Sequence, residues 1–313
     1  MTFQTATAAR LASLATLVLV FPAPASAGID PASYHHVDVN HDFVPDGKAE
    51  GLVSCPAGTK AVASGATSSG LLDTLTALTT SDQNGAFAMG EGNAGGHLQI
   101  SARCVDAAQV QGSTRAETTV RDHRPNVHLH SGRVSCPPGT VAYGGGGFFS
   151  QLGGQPSAVG GNMYASMPDA DGTGWFFANA GRFLPPDTEL LISTHCLPRA
   201  EFGQIFTYTA TDTGPSEDPG SPYPTLSAAA RCESGFAYAG GAWLHRKGSS
   251  TPEWAGTLTV SNMTADDRGW FARGYTWEPD MQLTATVQCM SPPGGFGGHI
   301  CTDCAIGGTV RFD

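Results

Sequence analysis

Charge is scarce in this chain: Asp, Glu, Lys and Arg make up 14% of its 313 residues, against about 25% in an ordinary domain. Basic residues are the scarcer kind, 16 against 27 acidic ones, for a formal net charge of −11. Phosphate backbones are gripped by clustered Lys and Arg, so nucleic acid is not an expected partner. Long apolar runs are missing too. Beyond Phe21 no stretch offers the roughly 20 apolar residues that a membrane-spanning helix needs, so no membrane span is expected. The three-and-four spacing of apolar residues that marks an amphipathic helix is absent. So are a Gly-x-Ser-x-Gly elbow, a His-Glu-x-x-His pair and a phosphate-binding loop, which leaves no familiar catalytic framework to start from.

What is present begins with an export signal. One basic residue, Arg10, precedes the apolar run Leu11 to Phe21, and Ala25-Ser26-Ala27 gives the small-x-small pattern of a signal-peptidase site. Residues 1–27 are read as a signal peptide, the mature chain starts at Gly28, and the expected location is secreted and extracellular. Eight cysteines in an exported chain imply four disulfides. Eight cysteines allow on the order of 100 pairings, so a further signal has to select one.

Repetition supplies it. Val134-Ser135-Cys136-Pro137-Pro138-Gly139-Thr140 runs on through Tyr143 into Gly144 to Gly147, and it has two counterparts. They are Val53-Ser54-Cys55-Pro56-Ala57-Gly58-Thr59 with Gly65, and Arg231-Cys232-Glu233-Ser234-Gly235 with Gly240 and Gly241. Each is answered downstream by a cysteine closing an alternating run, at Cys104, Cys196 and Cys289. The expected bridges are therefore Cys55 with Cys104, Cys136 with Cys196, and Cys232 with Cys289, one per repeat. Cys301 with Cys304 makes a fourth, small-loop bridge. Closing loops of this length stabilises the fold by about 4 kcal/mol per bridge in the chain-entropy model.

Within each repeat the chemistry is that of strands and turns. A lead-in strand is expected near Tyr34 to Phe43, near Glu117 to Arg121 and near Gln204 to Thr209. The cysteine strand then turns at Pro-x-Gly or Glu-Ser-Gly, because Pro fixes φ and Gly accepts φ > 0. A second strand (Lys60 to Ser64, Val141 to Tyr143, Phe236 to Ala239) ends in glycines, which points to a bulge or a close backbone approach. A hairpin follows. Its turns are Ser81 to Gly85, Pro168 to Gly174 and Ala265 to Gly269, and its return strands carry Phe87, Trp175-Phe176 and Trp270-Phe271. The domain reading is β repeat 1 over 28–112, β repeat 2 over 113–200, β repeat 3 over 201–290, and a Gly-rich tail over 291–313 with a possible last strand near Val310. Thr213 to Pro224 is the most linker-like stretch.

The candidate sites are few. Neighbours on a strand point to opposite faces, so Trp175-Phe176 and Trp270-Phe271 each place one ring in the core and one on a half-covered face. Trp243, Trp254 and Trp277 sit nearer loops and are the candidate sugar-stacking residues, with cell-surface or extracellular glycans as the candidate partners. Asp169-Ala170-Asp171-Gly172 looks like part of a calcium loop but lacks its distal acid, and reads as a hairpin turn. No metal and no cofactor is expected. The His35, His36, Asp38, His41 and Asp42 group, the pair His128 and His130, and His299 beside Cys301 carry no assigned metal. Glycoside hydrolysis would need two facing acids. Glu253, Glu278 and Asp280 are the acids of that alternative, and nothing in the sequence joins them. Asn262-Met263-Thr264 is a formal glycosylation sequon.

The order Cys-Pro-x-Gly, Gly-Gly, Gly-Trp and closing cysteine, over most of residues 50–290, resembles a repeat of small secreted bacterial proteins of unassigned function. A weaker likeness is to vitelline membrane outer layer protein I, whose three repeats imply a β-prism. This chain departs from it in its longer units and in missing that family's Trp-Gly-rich strands. The expected fold class is all-β. Three homologous antiparallel units, stapled by disulfides, are arranged as tandem small sandwiches or as one pseudo-threefold prism-like body. The expected function is that of a non-catalytic extracellular or surface-associated binding or structural protein, with a secreted polysaccharide-acting hydrolase as the alternative.

Overall fold

The computed structural model describes residues 29–30, 33–44, 47–69, 74–81, 84–93, 95–121, 129–151, 161–181, 188–212 and 223–291. Residues 1–27, read above as a signal peptide, together with His128, His299, Cys301, Cys304 and the strand expected near Val310, lie outside the described residues. The described chain is almost wholly β. The first repeat supplies β1 (His35–Asp42), β2 (Lys48–Ser54), β3 (Thr59–Ser68), β4 (Thr74–Ser81), β5 (Gly85–Glu91) and β6 (His97–Asp106). The second supplies β7 (Thr114–Val120), β8 (Leu129–Ser135), β9 (Thr140–Gln151), β10 (Gly161–Pro168), β11 (Gly174–Gly181) and β12 (Thr188–Pro198). The third supplies β13 (Ile205–Thr211), β14 (Thr225–Arg231), β15 (Phe236–Arg246), β16 (Gly256–Met263), β17 (Gly269–Thr276) and β18 (Met281–Met290).

These strands form three six-stranded antiparallel sheets: sheet I, β1-β6-β3-β16-β17-β14; sheet II, β2-β5-β4-β9-β12-β7; and sheet III, β13-β18-β15-β10-β11-β8. In every sheet the first, sixth and third strands of one repeat continue into the fourth, fifth and second strands of another. Each repeat thus divides itself between two sheets. The joins are short: Val260 pairs with Thr67 in sheet I, Leu78 with Gly147 in sheet II, and Ala165 with Trp243 in sheet III. One hydrophobic cluster runs from Ile29 to Met290 and takes residues from all three repeats. Shared sheets and a common core rule out sandwiches in a row.

The three bridges join Cys55 to Cys104, Cys136 to Cys196 and Cys232 to Cys289, at sequence separations of 49, 60 and 57. Each lies within its own repeat and ties the residue that follows the second strand to the sixth strand, which belongs to a different sheet. The bulge expected near the glycines is present in all three repeats, between Ala61 and Ala63, opposite Thr194 and His195, and between Ala237 and Ala239.

Those second strands do not end at the glycines, as the sequence suggested, but run through them to Ser68, Gln151 and Arg246. The reason is packing. A Cβ at Gly145 would lie 2.5 Å from Trp175 Cδ2, and one at Gly240 would lie 2.4 Å from Trp270 Cε3, so each indole rests directly on strand backbone. Both tryptophans are buried and donate Nε1–H to the hydroxyl of Ser166 or Ser261, at 3.2 and 3.1 Å. The aromatic pairs therefore resolve with tryptophan inside, while Phe271 is 37% exposed.

The hairpin turns of the second and third repeats each bond to another repeat. Gln288 Nε2 donates to Asp169 O (2.8 Å), and Thr207 Oγ1 donates to Ala170 O (3.0 Å). In the corresponding place Arg103 Nε donates to Asp267 Oδ1 (2.7 Å), with His36 Nε2 2.8 Å from Asp267 Oδ2. Arg103 and Gln288 each immediately precede the closing cysteine of their repeat.

Burial also shapes the response to alkali. Desolvation raises the Tyr34 and Tyr238 phenols well above the usual range, and raises Tyr164 to about 12 against a weaker opposing hydrogen bond with Ser131. A folded-state pKa above the unfolded value of about 10 means that the stabilisation is complete below pH ~10 and is lost as pH rises through the folded value. Tyrosinate absorbance should therefore lag an unfolded control between pH ~10 and ~12, with stability falling over the same range. Titration of all seven tyrosines near pH ~10 with the fold intact would contradict this.

Candidate functional site

The site grows from the end of β17. Thr276 N donates to Pro224 O (3.0 Å), which draws the residues before β14 alongside and lays Tyr223 on Tyr275, centroids 5.6 Å apart and planes at 14°. Thr276 Oγ1 donates to Ala255 O (2.7 Å), and Trp277 N donates to the same carbonyl (3.1 Å). This pins the loop between β15 and β16 beside the strand end and sets Trp254 against Trp277 at 5.6 Å and 78°. Trp277 is also inclined to Tyr275 at 58° and to Tyr223 at 72°.

The four rings line a cleft of about 570 Å³, completed by Asn162 and Gly161 at the start of β10, Ala180 in β11 and Glu91 at the end of β5. All three sheets contribute. Trp277 is 38% exposed and Tyr223 39% exposed, so two large rings face solvent where burial would ordinarily be favourable. The Trp254 Nε1–H is buried with no hydrogen-bond partner among the described residues. Aromatic faces bordered by an amide, a carboxylate and indole N–H suit a ligand with apolar faces and a hydroxylated edge.

Of the three tryptophans singled out in the sequence, the structure joins Trp254 and Trp277 and leaves Trp243 elsewhere. Trp243 lies on β15, paired with Ala165 and Thr284, 6.1 Å from the His245 ring, and packs against the main core. Sequence reasoning missed Tyr223, Tyr275, Asn162 and Glu91. Tyr275 and Trp277 are two apart, which is a usable signal. Glu91 and Asn162 come from other repeats and carry none.

The candidate acids do converge, but on a cation. Arg246 Nε bonds Glu253 Oε1 (2.8 Å), one terminal nitrogen bonds Glu278 Oε2 (2.6 Å), and the other bonds Asp280 Oδ2 (3.2 Å). Hydrogen bonds to Glu253 and Glu278 raise the Arg246 pKa above its ordinary value. Acids paired in this way do not face each other across a substrate, as glycoside hydrolysis requires. Among the described lining residues of the cleft, Glu91 is the one carboxylate.

The calcium-like stretch is a hairpin turn. Asp169 bonds Arg133 Nε at 2.7 Å, and its carboxyl is pushed up by burial against the pull of that arginine. Asp171 is held low by hydrogen bonds from the Thr173 N–H and hydroxyl. Among the described residues no three His, Cys, Asp or Glu side chains are grouped to hold a metal, the cluster on β1 included. The sequon residue Asn262 lies within β16 with its Oδ1 accepting from Ser101 Oγ at 2.9 Å. A scan against protein-family models finds no match to the chain, and a search of curated proteins finds none either.

Proposed function

We propose that this is a secreted, non-catalytic extracellular or surface-associated binding protein, and that its ligand is a glycan held in the aromatic cleft at the end of β17. The observation that carries the reading is the set of four mutually inclined rings, two of them facing solvent, with Asn162 and Glu91 at the edge. Pyranose rings present axial C–H faces to aromatic rings and hydroxyls to polar groups, so one ligand satisfies both kinds of lining. Three disulfides within an acidic body fit an oxidising, extracellular setting. Weak single contacts would gain from the arrayed substrates typical of surfaces. The hydrolase alternative is disfavoured because its acids are bound to Arg246.

Glycan-array screening followed by calorimetry tests the reading. Trp277→Ala and Tyr223→Ala, both at exposed positions, should weaken binding tenfold or more, equivalent to about 1.4 kcal/mol, with the fold intact. A parent protein that binds no glycan, or variants that bind as the parent does, would remove it.

A further inference from the structure

The third repeat supplies the four rings of the cleft, and it also carries a cation that neither of the other repeats has in the same place. Gly85, Gly174 and Gly269 open equivalent strands, since each pairs with the residue that precedes the first cysteine of its repeat. Counting eight residues on along the sequence gives Asn93, Arg182 and Trp277, so the exposed indole belongs to one copy. Arg246 stands six residues after Gly240, and the residues six after Ser64 and Gly145 are Gly70 and Gln151. Indole and guanidinium thus occur together, in one repeat of three.

The geometry shows what the cation does there. Trp254 and Trp277 lie on two separate connections, one between β15 and β16 and the other between β17 and β18. Glu253 directly precedes the first indole, and Glu278 directly follows the second. Arg246, the last residue of β15, donates Nε–H to Glu253 Oε1 (2.8 Å) and a terminal N–H to Glu278 Oε2 (2.6 Å), so one planar group joins both connections. Its other terminal nitrogen donates to Asp280 Oδ2 at 3.2 Å, further along the second connection. Isolated surface ion pairs contribute little, whereas a network on one forked guanidinium fixes the direction of every bond at once. The bond from Trp277 N to Ala255 O (3.1 Å) ties the two connections through their backbones, and Arg246 ties them again through the acids beside the indoles. Arg246 itself is not among the described residues that line the cleft.

We infer that Arg246 is a positioning residue of the aromatic cleft: by joining Glu253 to Glu278 it holds Trp254 and Trp277 at 5.6 Å and 78° before any ligand arrives. What binds there is the glycan proposed above, but the ring geometry stands independently of it. Rings held in advance spare a ligand the ordering cost of two large side chains, so the arginine contributes affinity without touching the sugar.

Circular dichroism and calorimetry on the full mature chain test this. Indoles so close and so inclined couple their excited states, and the resulting couplet should vanish in Trp277→Ala and in Trp254→Phe. Arg246→Gln should lose the couplet too while keeping the β-sheet spectrum, and should bind cellotriose or chitotriose about fivefold more weakly or worse. Glu253→Gln combined with Glu278→Gln removes the tie from the acid side and should do the same. Arg246→Lys should not restore either property, because an ammonium lacks the fork. A neutral trisaccharide carries no charge, so any fall in its affinity between ~0.01 and ~1 M salt, where the screening length drops from ~30 to ~3 Å, reports the ion pairs of the protein. That fall should be present in the parent and absent in Arg246→Gln. A couplet that survives in Arg246→Gln, or that Arg246→Lys restores, would overturn the inference. The couplet is read without sugar, so binding of neither trisaccharide counts against the glycan reading and leaves the positioning role to be decided by the couplet.

Discussion

Replacing Trp270 with alanine is expected to lower the unfolding free energy by about 3–5 kcal/mol, the range for emptying a core site of an indole. The ring is 2% exposed, rests on the backbone at Gly240, and donates its N–H to Ser261. No neighbour can collapse into the space readily, because the atoms beneath it belong to a hydrogen-bonded strand, β15. The orphaned Ser261 hydroxyl adds to the loss, since its residue is fully buried. Urea denaturation followed by tryptophan fluorescence and circular dichroism measures it as a lowered midpoint at unchanged slope. A loss below about 1 kcal/mol would mean that the indole is not a core element.

The second large effect comes from the opposite side of the same contact. Gly240→Ala would place a Cβ 2.4 Å from Trp270 Cε3, and neither the strand nor the ring is the loose end of a flexible chain. Overpacking of this kind costs about 1–3 kcal/mol and sometimes more. The informative variant is the pair. Gly240→Ala with Trp270→Ala removes the clash along with the ring, so the double variant should be less destabilised than the two single losses added together, by about 1–3 kcal/mol. The first repeat already has this arrangement: Ser64 stands at the register position of Gly145 and Gly240, and Ala86 at that of Trp175 and Trp270. Strict additivity of the two variants would show that ring and glycine are not coupled, and would undo the account of the glycine-rich strands.

That pairing shows how far local pattern carries. Alternation at two residues is a property of neighbouring side chains, so strands such as β1 and β16 are legible without any partner. The disulfides are legible because repetition places equivalent cysteines at equivalent points of equivalent strands, and each bridge closes within its own copy. Glycine beside a predicted strand signalled close approach but not what approaches. Only the packed structure identifies the indole, and it shows the strands running on through the glycines. In the candidate site, exposed tryptophan near loops singled out Trp254 and Trp277 but equally Trp243, because residue type and loop position are the same for all three.

The chain by itself determined an all-β fold, its within-repeat bridges and the inward turn of one aromatic in each Gly-Trp-Phe run, since these follow from side-chain period and residue volume over short distances. Tertiary structure decided that every repeat splits between two sheets, that Tyr223, Trp254, Tyr275 and Trp277 meet Glu91 and Asn162, and that Arg246 gathers three acids. The physical reason is that strand-to-strand pairing between repeats satisfies the same backbone hydrogen bonds whichever copy provides the partner. Alternation along one strand therefore carries no record of which partner it takes, and a site built across three sheets exists only once those partners are chosen.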